Sequence, residues 1–148
     1  MRFLFCDRIV RVEKGRSIDG VKSFSLSEEF LNGHFEKRAL VPGLILIETM
    51  TQFLGLLINY SHDFRFFSII SLIENVAVTP DLGPGFKADI HAEIVSTSET
   101  DSLGKAKVYV DGEPIASAER MIYSHLRVPD PEDHRRRFEY FNRQARNE

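Results

Sequence analysis

Residues 44–60 constrain the fold more than any other stretch of this chain. Their large apolar side chains (Leu44, Ile45, Leu46, Ile47, Met50, Phe53, Leu54, Leu56, Leu57 and Ile58) wrap most of the circumference of one helix. That helix is about 17 residues and roughly 26 Å long at 1.5 Å per residue. A helix that is apolar nearly all round has to be buried on several sides. Pro42, Glu48, Thr49, Thr51 and Gln52 break the apolar run. A membrane span needs about 20 largely uninterrupted apolar residues, so a core helix is the better reading.

What surrounds the helix reads as strand. Residues 3–12 mix Phe, Leu, Ile and Val with spaced charges, and residues 17–26 alternate after a turn at Glu13-Lys14-Gly15-Arg16. Ser27 is placed to cap a single helical turn that ends near Gly33. Beyond the helix, residues 64–78 are rich in Phe, Ile and Val. Residues 86–96 alternate Ala88, Ile90, Ala92 and Ile94 against Lys87, Asp89, His91 and Glu93. Residues 104–110 alternate again, Asp111-Gly112 is a hairpin turn, and residues 113–128 complete the series. Two strands, a buried helix and four strands make an α+β fold in which an antiparallel sheet wraps the helix. Residues 1–128 are expected to form that domain. In the tail, residues 129–148, Asp130 and Pro131 begin a short surface helix with acids first and arginines (135, 136, 137, 143 and 146) later. Phe138 and Phe141 are expected on its packed face.

With 148 residues, 43% hydrophobic and 28% charged, the chain has the composition of a globular domain. A net charge of −3 gives no reason to expect nucleic acid or an anionic membrane as partner. The single cysteine, Cys6, can form no internal disulfide, and no Cys/His cluster suggests a metal. No signal peptide is apparent, and a reducing cytoplasm fits.

The chemistry concentrates before and within the helix. His34 lies in a loop after Gly33, Pro42-Gly43 opens the helix, and Glu48 is the helix carboxylate. Imidazole titrates near neutrality and a helix N-terminus can polarise a carbonyl. Base, acid and oxyanion donor are what proton abstraction or elimination needs. Gln52, one turn beyond Glu48, can reach that carboxylate. A loop histidine, a surface carboxylate and a Pro-Gly that merely starts a helix are the structural alternatives.

The run from Gly33 to Gln52 resembles the pattern GHFPGxPxxPGVLxxEAxAQ of the 3-hydroxyacyl-[acyl-carrier-protein] dehydratases of the FabZ type, which have the hot-dog fold. The His34–Glu48 spacing matches without a gap. Phe3-Leu4-Phe5-Cys6-Asp7-Arg8-Ile9-Val10 looks like the family's PFLLVDRV strand, and Ile73-Glu74-Asn75-Val76 like part of its third strand. The resemblance covers about residues 3–127. Glu36, Lys37 and Ala39 stand for the usual Pro, Gly and Pro, Val78-Thr79 for an aromatic–basic pair, and Phe86 for Asp.

The resemblance implies that His34 is the base that takes a proton from C2. Glu48 would donate to the departing 3-hydroxyl, or hold the water that does. The Gly43 N–H would bond the thioester carbonyl, Gln52 would orient Glu48, and Phe35 and Val41 would be pocket wall or core. It implies dehydration to a trans-2-enoyl thioester in fatty-acid or related polyketide or aryl polyene biosynthesis. No metal or redox cofactor is implied, since phosphopantetheine arrives with the substrate. The implied partners are an acidic acyl carrier protein and a second copy of the chain, with the histidine of one subunit facing the glutamate of the other. A homodimer, or a higher oligomer of dimers, is expected. Lys37, Arg38 and the arginine-rich tail are candidates for carrier docking. Tunnel length is expected to depend on Phe53, Phe64, Phe66 and Phe67. The alternatives are a hot-dog acyl thioesterase, or a non-catalytic module that binds acyl thioesters.

Overall fold

The computed structural model describes residues 3–127 and 130–143. Val128, Pro129 and Arg146, which belong to the expected last strand and tail, lie outside them. The chain runs β1 (Arg8–Glu13), β2 (Ser17–Phe24), a 3₁₀ turn (Glu29–Leu31), α1 (Gly43–Ser61), β3 (Phe66–Val78), β4 (Phe86–Thr97), β5 (Asp101–Val110), β6 (Glu113–Arg127) and α2 (Pro131–Arg143). The six strands form one antiparallel sheet in the order β1-β2-β4-β5-β6-β3, so β3 is an edge. The sheet curls around α1 in the hot-dog arrangement.

Small residues let it curl so closely. Ala88, Ala92, Ala106 and Ala118 line the helix-facing side at 0–3% exposure. At Gly20 a Cβ would overlap the ring of Phe53, and at Gly104 it would sit 2.6 Å from Leu54 Cδ2. Side chains of α1 thus fill the space that these glycines leave. Ladder shifts between Ile70 and Leu72 and between Ile94 and Ser96 bend the sheet around them. Between β5 and β6, Asp111 (φ 50°) and Gly112 (φ 81°) make the two-residue turn expected from Asp-Gly.

Three local expectations change. The first strand starts at Arg8, not at residue 3, because the backbone of Phe3 and Phe5 bonds a side chain instead of a strand. Phe5 N–H donates to Gln52 Oε1 at 2.7 Å, and Phe3 C=O accepts from Gln52 Nε2 at 3.2 Å. Ser27 caps nothing: its hydroxyl is 2.6 Å from Ser25 Oγ, and the 3₁₀ turn begins after Glu28. Finally, α1 is wrapped on most sides but keeps one open stripe. Leu44 is 76% exposed, and Glu48, Gln52 and Leu56, spaced four apart along the same face, are half-buried.

α1 has the length and apolarity of a membrane span by composition, yet more than half of it is buried within the fold. α2 is charged outward, while Phe138 and Phe141 (2% and 3% exposed) join the main core.

Candidate active site

The open stripe of α1 forms one wall of a cavity of about 340 Å³. Glu48 and Gln52 line it, as do Thr51, Gly55, Leu56 and Asn59; β3 closes it from the other side through Phe67 to Ile70. Glu48 is half-buried rather than fully buried, and both of its oxygens are held from its own helix. Gln52 Nε2 donates to Oε1 at 2.9 Å, and Thr51 Oγ1 donates to Oε2 at 3.1 Å. Spacings of three and four residues bring those donors onto the Glu48 face.

Gln52 is fixed in turn. Its carbonyl oxygen is taken by Phe5 N–H and its amide nitrogen is shared between Glu48 and Phe3 C=O, so the amide orientation has one consistent solution. Thr51 is a residue that sequence reasoning passed over. Its backbone carbonyl also accepts from the buried Tyr123 hydroxyl at 2.7 Å. Burial, and then the charge of Glu48, keep that phenol protonated well above its usual range.

Gly43 is the first residue of α1, after Pro42 in extended conformation (φ −60°, ψ 135°). Its N–H has no acceptor within the helix. A Cβ here would come 2.9 Å from Val78 Cγ2, so glycine lets β3 pass close to the helix start. From Gly43 to Glu48 the helix rises about 7.5 Å.

His34 does not line the cavity that holds Glu48. It sits in a tight loop after Gly33 (φ 78°), where Leu40 N–H donates to His34 C=O at 3.0 Å. Its Nδ1 lies 3.1 Å from Leu40 C=O. A carbonyl only accepts, so Nδ1 carries the hydrogen and Nε2 presents the lone pair of a base. Phe35, 61% exposed, stacks on the imidazole at 4.6 Å. Val41 is in the core at 5% exposure, with its N–H on Leu82 C=O. Within one chain the structure therefore joins Glu48 and Gln52, and sets His34, Phe35, Val41 and Gly43 outside their cavity.

Of the four phenylalanines expected to shape a tunnel, Phe64 and Phe67 line the cavity. Phe53 packs at Gly20, and Phe66 stacks on His125 at 5.4 Å. His134 and Arg137, given no pocket role by the sequence, line the cavity from α2. Arg38 pairs with Asp81 at 2.8 Å. Cys6 is a core thiol, its ionisation suppressed first by burial and then by Asp7. Among the described residues, no group of three His, Cys, Asp or Glu is placed to hold a metal.

The FabA-like domain family matches residues 1–119. A 3-hydroxyacyl-[acyl-carrier-protein] dehydratase FabZ from Bacillus subtilis (strain 168) is 32% identical over 119 residues, covering 79% of this chain and 84% of its own. Among solved structures, a dehydratase heterocomplex from Xenorhabdus doucetiae superposes with a TM-score of 0.69 at 15% identity, covering 82% of this chain and 83% of that one. A hypothetical thioesterase with coenzyme A from Streptococcus pneumoniae TIGR4 superposes at 0.63 with 13% identity, covering 82% and 88%. At such identities the superpositions speak for the fold alone.

Proposed function

Since the chain belongs to the FabA-like family and is an enzyme of the 3-hydroxyacyl-[acyl-carrier-protein] dehydratase kind, we propose that His34 and Glu48 expel water from a 3-hydroxyacyl chain on acyl carrier protein. The product is the trans-2-enoyl thioester, made in the cytoplasm for fatty-acid or related acyl-chain biosynthesis. His34 Nε2 takes the C2 proton, and the enolate-like charge gathers on the thioester oxygen, where the Gly43 N–H donates. As C2=C3 forms, the C3–O bond breaks and Glu48, entering this step as the neutral acid, passes its proton to the departing hydroxyl, which leaves as water and leaves Glu48 as the carboxylate. The imidazolium and the glutamate then exchange one proton through solvent, which resets the site.

The observation that carries this reading is the Glu48 carboxylate, held by two donors on its own helix at the wall of a largely apolar cavity. A carboxylate fixed at both oxygens presents its remaining lone pairs, or its proton, in one direction.

The same reading accounts for His34 lying outside that cavity: the site is completed by a second copy. β3 is an edge strand that carries an apolar row, with Leu72 (41% exposed), Val76 (39%) and Val78 (37%). Leu44 and Phe35 add to the exposed apolar surface at the helix start. Such an edge invites pairing with another strand. We propose a homodimer in which His34 of each copy faces Glu48 of the other.

The test is enoyl-thioester absorbance with a 3-hydroxyacyl thioester on acyl carrier protein. His34→Ala and Glu48→Gln are each expected to cut turnover by at least about 100-fold while the circular dichroism stays unchanged. Full activity in both variants would overturn the assignment. Release of free acid and thiol would point to a thioesterase.

A further inference from the structure

The cavity does not end inside the helix-and-sheet core. From Glu48 it follows α1 to Asn59, about 16 Å at 1.5 Å per residue, and it is also lined by His134 and Arg137 of α2. Glu48 lines it from the first half of α1, and His134 lines it from the C-terminal helix, against Phe67, the neighbour of the Ser68 that bonds Asn59.

α2 is firmly docked there. Phe138 stacks on Tyr60, near the end of α1, with ring centres 4.6 Å apart and planes within 8°, and meets Phe64 at 5.5 Å. The His134 ring lies 4.9 Å from that of Phe67, itself a wall of the cavity. The Arg135 guanidinium covers the Phe64 ring at 5.2 Å.

The wall between the ends suits hydrocarbon. Several of its polar groups already have protein partners: Asn59 Oδ1 accepts from Ser68 N–H at 3.0 Å, Ser68 Oγ donates to Gly55 C=O at 3.3 Å, and the Tyr123 hydroxyl donates to Thr51 C=O. A pantetheine arm would leave its amides unpaired along such a wall, whereas an alkyl chain loses nothing there.

We propose that α2 is the stop at the end of the acyl groove, and that His134 and Arg137 set the longest chain the enzyme accepts. This rests on the cavity being the acyl site of the dehydratase described above. The Arg137 side chain lines the cavity and is still 56% exposed, with Asp133 4.0 Å away, so its charge keeps contact with water. A chain that extends along the cavity as far as α2 must displace the Arg137 side chain or desolvate its guanidinium, and both are unfavourable.

The test uses the full chain, and saturated alkyl pantetheine thioethers of increasing length, which can neither dehydrate nor hydrolyse. In the unaltered protein, affinity should rise about fourfold per added methylene, the scale of a buried CH₂, and then stop rising. In the His134→Ala/Arg137→Ala double variant, which keeps the Phe138 and Phe141 anchors, the rise should continue for several more methylenes. The same stopping length in both proteins, no stopping length in the unaltered protein, or no alkyl binding at all would each overturn the proposal. Enoyl formation is measured separately on the same proteins. A chain-length stop without enoyl product would sink the dehydratase reading and leave the stop standing.

Discussion

The carboxylate of Glu48 has two donors on its own helix, and they differ in what they depend on. The Thr51 hydroxyl bonds only within α1, whereas the Gln52 amide also carries Phe5 N–H and Phe3 C=O, and so ties the leading segment to the site. Replacing Gln52 with leucine would leave the part-buried Phe5 N–H without its acceptor. The expected cost is about 1–3 kcal/mol in denaturant unfolding, together with a fall in turnover. Unchanged stability and unchanged turnover would show that Gln52 orients nothing. The Glu48–Gln52 pair is legible in the sequence because a spacing of four is a helix contact. Thr51 is not, because a threonine three residues on can equally well bond the helix backbone, and here its one hydroxyl hydrogen is shared between Glu48 C=O at 2.8 Å and the carboxylate at 3.1 Å. The reach of Gln52 to Phe5 is equally hidden, since no local pattern encodes a partner 47 residues away.

Among the elements, those whose period is local are read correctly: the alternation of β4, the Asp-Gly turn, and the acids-first order of α2. What is not legible is which stripe of α1 stays open, because that depends on where Gly20 and Gly104 let the sheet approach. The far ends of the strands hold another arrangement that no motif announces. His62, just after α1, reaches Thr97 Oγ1 at 2.7 Å. Thr97 Oγ1 is 2.6 Å from Ser102 Oγ, which is 2.8 Å from His125 Nε2. Desolvation lowers the pKa of both histidines; at His62 the charges of His125 and Arg65 lower it further against Glu99 and Asp63, while at His125 desolvation outweighs the opposing pull of Glu99 and Asp101. The fold thus disfavours protons that the unfolded chain accepts, so this end of the sheet loses stability as pH falls below the ordinary histidine value near 6.5. His91 works in the opposite sense. Desolvation pulls its pKa down, but hydrogen bonds to Glu93 and Asp19 outweigh it, and the stability they add is lost as pH rises through the raised value. Comparing the protein with a His62→Gln/His125→Gln variant isolates the first effect. The unaltered protein should lose more of its denaturation midpoint between neutrality and about pH 5 than the variant does. Parallel losses would contradict it.

At the scale of the whole molecule, one chain carries both halves of the proposed site and yet keeps them apart. Glu48 and Gln52 share a cavity, while His34 stands in a loop beside an exposed Phe35. The edge position and exposed apolar row of β3 are the grounds on which that strand is proposed as the seam between two copies. Leu72→Lys with Val76→Lys should therefore yield a folded monomer with little dehydratase activity, read by sedimentation and enoyl absorbance; an active monomer would refute the shared site. The proposed pairing of copies cannot be read from periodicity, because helix and strand periods describe one chain at a time. The most direct measurement co-expresses the His34→Ala and Glu48→Gln chains and assays enoyl formation by the purified mixture. Half of randomly paired dimers are mixed, and each mixed dimer has one site with both residues intact. The mixture should then regain about a quarter of the unaltered activity, although each variant alone is inactive. A mixture of demonstrated heterodimers no more active than its parents would contradict a site made of His34 from one copy and Glu48 from the other.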